Sequence, residues 1–386
     1  LFKKMLLTLS VLTLLMGGVA NAADADWTFY GAGHVSINSL SNGEDSQLGL
    51  TSNTSRFGFK GTAPINDDFS AFWQFESVLD MAGNEGSDGT YIGTRNTYVG
   101  FKHGTAGKFM FGRHDTPFKT LGRKVEMFPD QLGDFRSMTQ GWENRLTELA
   151  AWVSPDWQGF SIFAAYQFDQ AEVLEPTKAD WEAKTAMSVM AAYTTEQFML
   201  GAAYEAQSSG YGAVNDNDDY SDGPKAFRFA AKYMAEQFEI GGLFQSTTIQ
   251  GLDPADEDDI AFMDHKTMTL GGGATFHVND EWNVKGAMFL VDQNTDAEDD
   301  ALTTTVDESD TMATQLAFGI ERVFTKNVLA YVQFAAIANG DMTNVALAGS
   351  KSGFNNAVSG GIHGTYDTAG ELQDPSGFSV GTVITW

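Results

Sequence analysis

Four scarcities bound what this sequence can be. There is no cysteine among 386 residues, which excludes disulfides, thiolate metal ligands and cysteine nucleophiles. Only 8 prolines stand against 41 glycines, so few positions are barred from donating to a β-ladder. Beyond the first stretch no run of 18 apolar residues occurs, so no transmembrane helix is encoded there. Basic residues are few: 23 Lys and Arg face 51 Asp and Glu, a net charge of −28. A chain this acidic is unsuited to contacting phosphate backbones, which excludes nucleic acid as a partner.

What is present begins with LFKKMLLTLSVLTLLMGGVANA, two lysines before an apolar run that ends in Ala20-Asn21-Ala22. The run is too short to span a bilayer, and the pattern predicts a signal peptide over 1–22, cleaved after Ala22. A single exported domain, 23–386, remains. It carries most of the chain's 29 Phe, 11 Tyr and 8 Trp. An aromatic-rich exported chain without helical spans can still cross a membrane as a closed β-barrel, the other structure that pairs every backbone group in lipid.

Period-two alternation recurs along the chain. In FSIFAAYQF, Phe160, Ile162, Ala164, Tyr166 and Phe168 share one face, with Ser161, Phe163, Ala165 and Gln167 on the other. FMLGAAYE places Phe198, Leu200, Ala202 and Tyr204 together. In FRFAAKY, Phe227, Phe229, Ala231 and Tyr233 alternate with Arg228 and Lys232, and in WNVKGAMFL Lys285 lies behind Trp282, Val284 and Met288. The charges fall opposite the aromatics, as lipid-facing and water-facing sides require.

Short turns are expected at 64–68, 103–107, 154–158, 194–197, 234–237, 278–281 and 324–327. Long polar segments lie near 39–50, 80–92, 114–144, 169–183, 206–224, 247–263, 292–311 and 338–376. Seven short turns alternating with eight long loops predict sixteen strands. The fold class is therefore an all-β transmembrane antiparallel β-barrel of 16 strands, whose even number lets the first and last strands meet and abolishes edges. Two stretches resist this pattern. In TRNTYVGF the parity of Arg95 also holds Val99 and Phe101, and NAVSGGIHGTYD at 356–367 alternates like a strand although the count assigns it to a folded loop.

Sixteen strands enclose a lumen too wide for side chains to fill. The third long loop, 114–144, mixes Phe118, Leu132, Phe135 and Trp142 with charges. A loop staying in water has no use for such residues, so this one is expected to fold into the lumen against the wall. Arg56, Arg95 and Arg145 fall on or beside the strands bordering it and are expected to face the lumen, since a charge in lipid costs roughly 2–4 kcal/mol at mid-bilayer. Facing them would be Glu126, Asp130 and Asp134, setting up a transverse field across a narrow aqueous gap.

The run EMFPDQLGD, 126–134, resembles the constriction-loop motif of the general, trimeric porins of Gram-negative outer membranes. SRFGFKG, TRNTYVGF and the Arg145 segment are similar to that family's second strand, its fourth strand and the strand after its constriction loop. GFSVGTVITW resembles its closing strand, with Trp386 where Phe is usual. Gln131-Leu132 replaces the more typical aromatic-glycine pair. The resemblance implies a constriction with basic Arg56, Arg95 and Arg145 and acidic Glu126, Asp130 and Asp134. It also implies a homotrimer among outer-membrane lipids and lipopolysaccharide, recognition of the last strand by the barrel-assembly machinery, and passive diffusion of small hydrophilic solutes and ions. No catalysis, cofactor or resident metal is expected.

A rival on the same scaffold is a sugar- or oligosaccharide-selective channel, which needs Trp142, Phe118 or Phe135 exposed along the pore to stack on sugar rings. A catalytic barrel would need a serine and a histidine on one wall, and the six histidines show no such motif. Arg228, Lys232 and Lys285 could form a second basic strip. The acidic runs at 215–219, 253–259 and 296–300 read as solvated loops or weak divalent-cation sites. By concentrating cations at the mouth they favour cation over anion passage.

Overall fold

The computed structural model describes residues 25–41, 46–83, 92–139, 141–169, 184–208, 223–249, 265–293, 311–340, 345, 347 and 374–386. The leader at 1–22, the three acidic runs and NAVSGGIHGTYD lie outside the described residues. Eighteen antiparallel segments form one sheet. The last, β18 (Ser376–Thr385), pairs with the first, β1 (Asp26–Ser41), from Ala32↔Thr385 to Ser41↔Ser376, and so closes the sheet. Both β2 (Ser46–Ser52) and β3 (Arg56–Pro64) pair with β1. In the same way β5 (Ile92–Thr94) and β6 (Thr97–His103) share β4 (Phe69–Leu79). Each of these pairs is one interrupted strand, and the result is a closed antiparallel 16-strand barrel.

The interruptions explain the irregular parity of TRNTYVGF. Between Ser77↔Thr94 and Gln74↔Tyr98, three residues oppose two. Between Val35↔Ser52 and Ala32↔Arg56, Asn53, Thr54 and Ser55 oppose Gly33 and His34. A third bulge joins β7 (Gly107–Asp115) to β8 (Arg145–Val153), where Arg113 opposes Thr147 and Glu148. One extra residue flips every later side chain to the other face. Arg95 can thus point one way while Val99, two pairs along, is exposed with the aromatics.

The first long loop is shorter than the composition of 39–50 suggests, since β1 runs to Ser41 and β2 begins at Ser46. Ser, Asn and Gly read as loop formers, yet the exposed Leu48 and Leu50 continue the alternation. Elsewhere the period-two faces stand as read. Phe198, Leu200, Phe229, Leu316, Phe318 and Phe378 are exposed, while Ala203, Arg228, Gln245, Gln315 and Ser379 on the opposite face are buried. Toward the short-turn rim the outer aromatics touch in pairs, including Trp27 with Phe59 (6.2 Å), Phe198 with Tyr233 (5.0 Å) and Tyr233 with Phe238 (5.7 Å). The amphipathic rings of Trp27 and Tyr233 suit a membrane–water boundary. Among the described residues no helix is long and apolar enough to cross a membrane.

Candidate functional site

The face opposite the aromatics is polar and yet buried, which requires a cover. Residues 116–144 supply it. Thr116 caps a short helix, α1 (Pro117–Arg123), by accepting from the Lys119 N–H, and Pro117 opens it where no N–H is needed. An irregular stretch leads to a 3₁₀ turn, Phe135–Met138, capped by Asp134. Phe118, Leu121, Val125, Phe128, Leu132, Phe135, Met138 and Trp142 are all buried. Each contributes roughly 1.5–3 kcal/mol against exposure. Glycines admit the close approach: a Cβ on Gly273 would lie 2.9 Å from Met127 Cγ, and one on Gly133 would lie 2.6 Å from Ala317 Cβ.

A ladder of polar wall residues meets the segment's backbone. Arg228 on β12 (Lys225–Met234) pairs across to Gln245 on β13 (Phe238–Ile249), which pairs with Thr269 on β14 (His265–His277). Arg228 Nη1 donates to Phe118 O (3.0 Å), Nη2 to Glu143 Oε1 (2.7 Å) and Nε to Gln245 Oε1 (3.0 Å), with its plane over the Phe118 ring at 4.1 Å. Gln245 Nε2 donates to Thr139 O (3.1 Å), Thr269 Oγ1 to Met138 O (2.7 Å), and Phe118 N to Ser188 Oγ (3.1 Å). Buried carbonyls without sheet partners are thereby satisfied. A second basic strip does not form. Arg228 is wholly buried, Lys232 pairs with Glu239 (2.6 Å) and Lys285 with Glu321 (2.7 Å).

The segment is also stapled to itself. Asp134 Oδ2 accepts from Arg123 Nη1 (2.8 Å), Arg136 Nη2 (2.6 Å) and the Asp130 N–H (2.8 Å). Asp130 Oδ1 accepts from Arg123 Nη2 (2.9 Å) and Arg136 Nη2 (2.7 Å). Glu126 accepts from the N–H groups of Phe128 (2.7 Å) and Phe135 (3.0 Å). Sequence reasoning missed Arg123 and Arg136 as partners of these acids, although both lie within the same loop.

Of the six residues expected to form facing walls, the structure brings Arg56 and Asp130 together, at 3.8 Å. Glu126 and Asp134 are turned into the segment's own backbone and arginines rather than toward an open gap, because the loop's backbone donors need acceptors in a buried setting. Arg95 Nε instead meets Glu76 (2.8 Å), and Arg145 Nη2 meets Asp115 (3.0 Å), which also holds Lys119 of α1 (3.0 Å). Tyr30 donates to Glu76 as well (3.0 Å). Arg56 and Arg95 adjoin bulges, and Arg145 lies within three residues of Glu148, whose φ is 52°. Bulges re-aim side chains in this way.

Arg123 and Arg136 outweigh burial and hold Asp130 down to about 2, and Asp134 lower still. Burial and neighbouring Asp134 push Glu126 up. Because the Asp130 and Asp134 values lie below those of an unfolded chain, their stabilisation is complete above about pH 4. It fades as pH falls through about 2. Glu126 acts oppositely, weakening docking as pH rises from about 4.5. Docking is therefore firmest near pH 4, where single-channel current should be quietest, becoming noisy toward pH 2; equal noise at pH 2 and pH 4 would contradict the staple.

The chain matches the model of the Gram-negative porin family over residues 8–342. It is 27% identical over 266 residues to the outer membrane porin protein OmpD of Citrobacter koseri, covering 64% of this chain and 71% of that one. The fold is similar to the anion-selective porin from Comamonas acidovorans, with TM-score 0.69, 20% identity and coverage of 94% and 100%. The trimer form of OmpT from Vibrio cholerae gives TM-score 0.63 at 17% identity, covering 94% and 99%.

Proposed function

From the premise that this chain belongs to the Gram-negative porin family, we propose how it performs passive diffusion across the outer membrane: residues 114–144 narrow the lumen and set the aperture. The observation that carries this is the ladder Arg228–Gln245–Thr269, which pins the segment to the face opposite the exposed aromatics. The remaining opening lies between the segment, at Arg123, Asp130 and Arg136, and the strands bearing Arg56, Glu76 and Arg95. Small hydrophilic solutes and ions pass there by diffusion, aligned by fixed charges between low-dielectric walls. Arg56, Arg95, Arg145 and Asp130 are the constriction charges, with Glu126 and Asp134 acting through the loop they brace.

The assembly is a homotrimer in this reading, supported by the likeness to a porin that forms trimers and by an outer face rich in exposed Phe and Leu. The outer face contacts membrane lipids and lipopolysaccharide, and the closing strand addresses the chain to the assembly machinery. The sugar-selective reading loses its stacking platform, because Phe118, Phe135 and Trp142 are all buried.

Single-channel recording in planar bilayers tests this directly. Ohmic steps in groups of three, without saturable block by maltooligosaccharides, are expected; concentration-dependent closures by one sugar would replace the reading with the selective channel. Arg56→Ser should raise the step size, since its side chain bridges the wall to Asp130. An unchanged step would remove Arg56 from the constriction.

A further inference from the structure

We propose that the aperture holds an anion site, centred on Arg56 with Arg123 and Arg136, that favours solutes carrying carboxylate or phosphate groups. This rests on reading residues 114–144 as the constriction. The cation preference expected from the acidic loops is thereby reversed at the narrowest point.

Accessibility separates the charges by sign. The side chains of Arg56, Arg123 and Arg136 are 33%, 26% and 24% exposed, against 16% for Asp130, 2% for Glu126 and 0% for Asp134. The arginines show their outer edges to water, while the acids that hold them are spent on backbone N–H groups and on the inner edges of the guanidinium planes. Arg95 adds nothing net, being paired with Glu76 at 2.8 Å. Burial also drives Glu126 toward its neutral form. The same geometry that pins the loop thus leaves its solvent side positive.

Donor use points the same way. Arg228 spends Nε, Nη1 and Nη2 on protein acceptors. Among the described residues the Arg56 side chain makes one hydrogen bond, from Nη1 to Thr54 O at 3.2 Å. Its nearest carboxylates, Asp130 and Glu76, stand at 3.8 and 4.0 Å, beyond hydrogen-bonding reach. A guanidinium with a vacant edge presents paired donors that match two oxygens of a carboxylate or phosphate. The guanidinium stays charged at any ordinary pH, so the site persists wherever the loop is docked.

The test is reversal potential in planar bilayers under a KCl gradient, followed by titration with inorganic phosphate. At 0.1 M salt the wild-type channel should prefer chloride to potassium on the order of tenfold, because one uncompensated charge at about 4 Å in a water-like dielectric, screened over about 10 Å, attracts the anion and repels the cation by equal energies and the two factors multiply. At 1 M, screening should bring the ratio close to one. Phosphate should depress the chloride current saturably. Arg56→Gln should still give channel steps, of larger size, but lose most of the preference and the phosphate effect, whereas Arg56→Lys should keep the preference with weaker phosphate binding. Steps with potassium preference in the wild type, or a preference untouched by Arg56→Gln, would overturn the anion site and leave the diffusion channel standing. Absence of any steps would instead overturn the channel reading, and the site with it.

Discussion

Replacing Arg228 with alanine is expected to release the segment from the wall and turn a steady channel into a larger, fluctuating one. The side chain is wholly buried and serves Phe118 O, Glu143 and Gln245 while stacking on Phe118. Alanine leaves the Glu143 carboxylate uncompensated, and removing one partner of a buried ion pair costs about 3–5 kcal/mol. The freed segment would expose Phe118 and Phe135, so it would sample several docked and undocked positions rather than one. Single-channel conductance and its variance report the change. Arg228→Met with Glu143→Gln removes both charges and keeps the volume, and should restore quiet current more fully than Arg228→Met alone. Wild-type conductance and noise in Arg228→Ala would show that the ladder does not hold the segment.

Asp134→Ala is the second large effect. It removes two charge-assisted hydrogen bonds, from Arg123 and Arg136, together with the cap of the 3₁₀ turn and the acceptor for the Asp130 N–H. Charge-assisted bonds contribute about 1.5–3 kcal/mol each. The two guanidinium groups would then converge on Asp130, with Glu126 3.9 Å from Arg123, and the loop should lose order by about 3–5 kcal/mol. Asp134→Asn keeps the cap but removes the charge, and should fall between the two. Thermal unfolding in detergent separates this from barrel damage: the strands should melt close to wild type while channel noise rises. A channel as quiet as wild type in Asp134→Ala would mean that the two aspartates do not brace the loop.

Arg123 and Arg136 show where reading a sequence stops short. Both stand in plain view within a loop singled out for its acids, at spacings of 7 and 6 residues from Asp130. Nothing in the spacing says that they fold back, because the path between them depends on Pro129, on Asp130 at a φ of 59° and on which backbone donors lie buried. Arg228 was legible as a charge behind aromatics, but its partners lie 85 and 110 residues away along the chain. Of the bulges at 53–55, 95–97 and 147–148, the second left a trace in the irregular parity of TRNTYVGF, although each extra residue could be counted only against a neighbouring strand.

Strand faces, strand number, the closing of the sheet and the presence of an apolar-bearing third loop were determined by the sequence alone. Lipid and water alternate with every residue, and connection lengths alternate from one rim to the other, so both signals are written locally. Which carboxylate meets which arginine was decided by the tertiary structure. Charges pair at distances of a few ångströms, and the loop's buried backbone N–H groups had first claim on its acids.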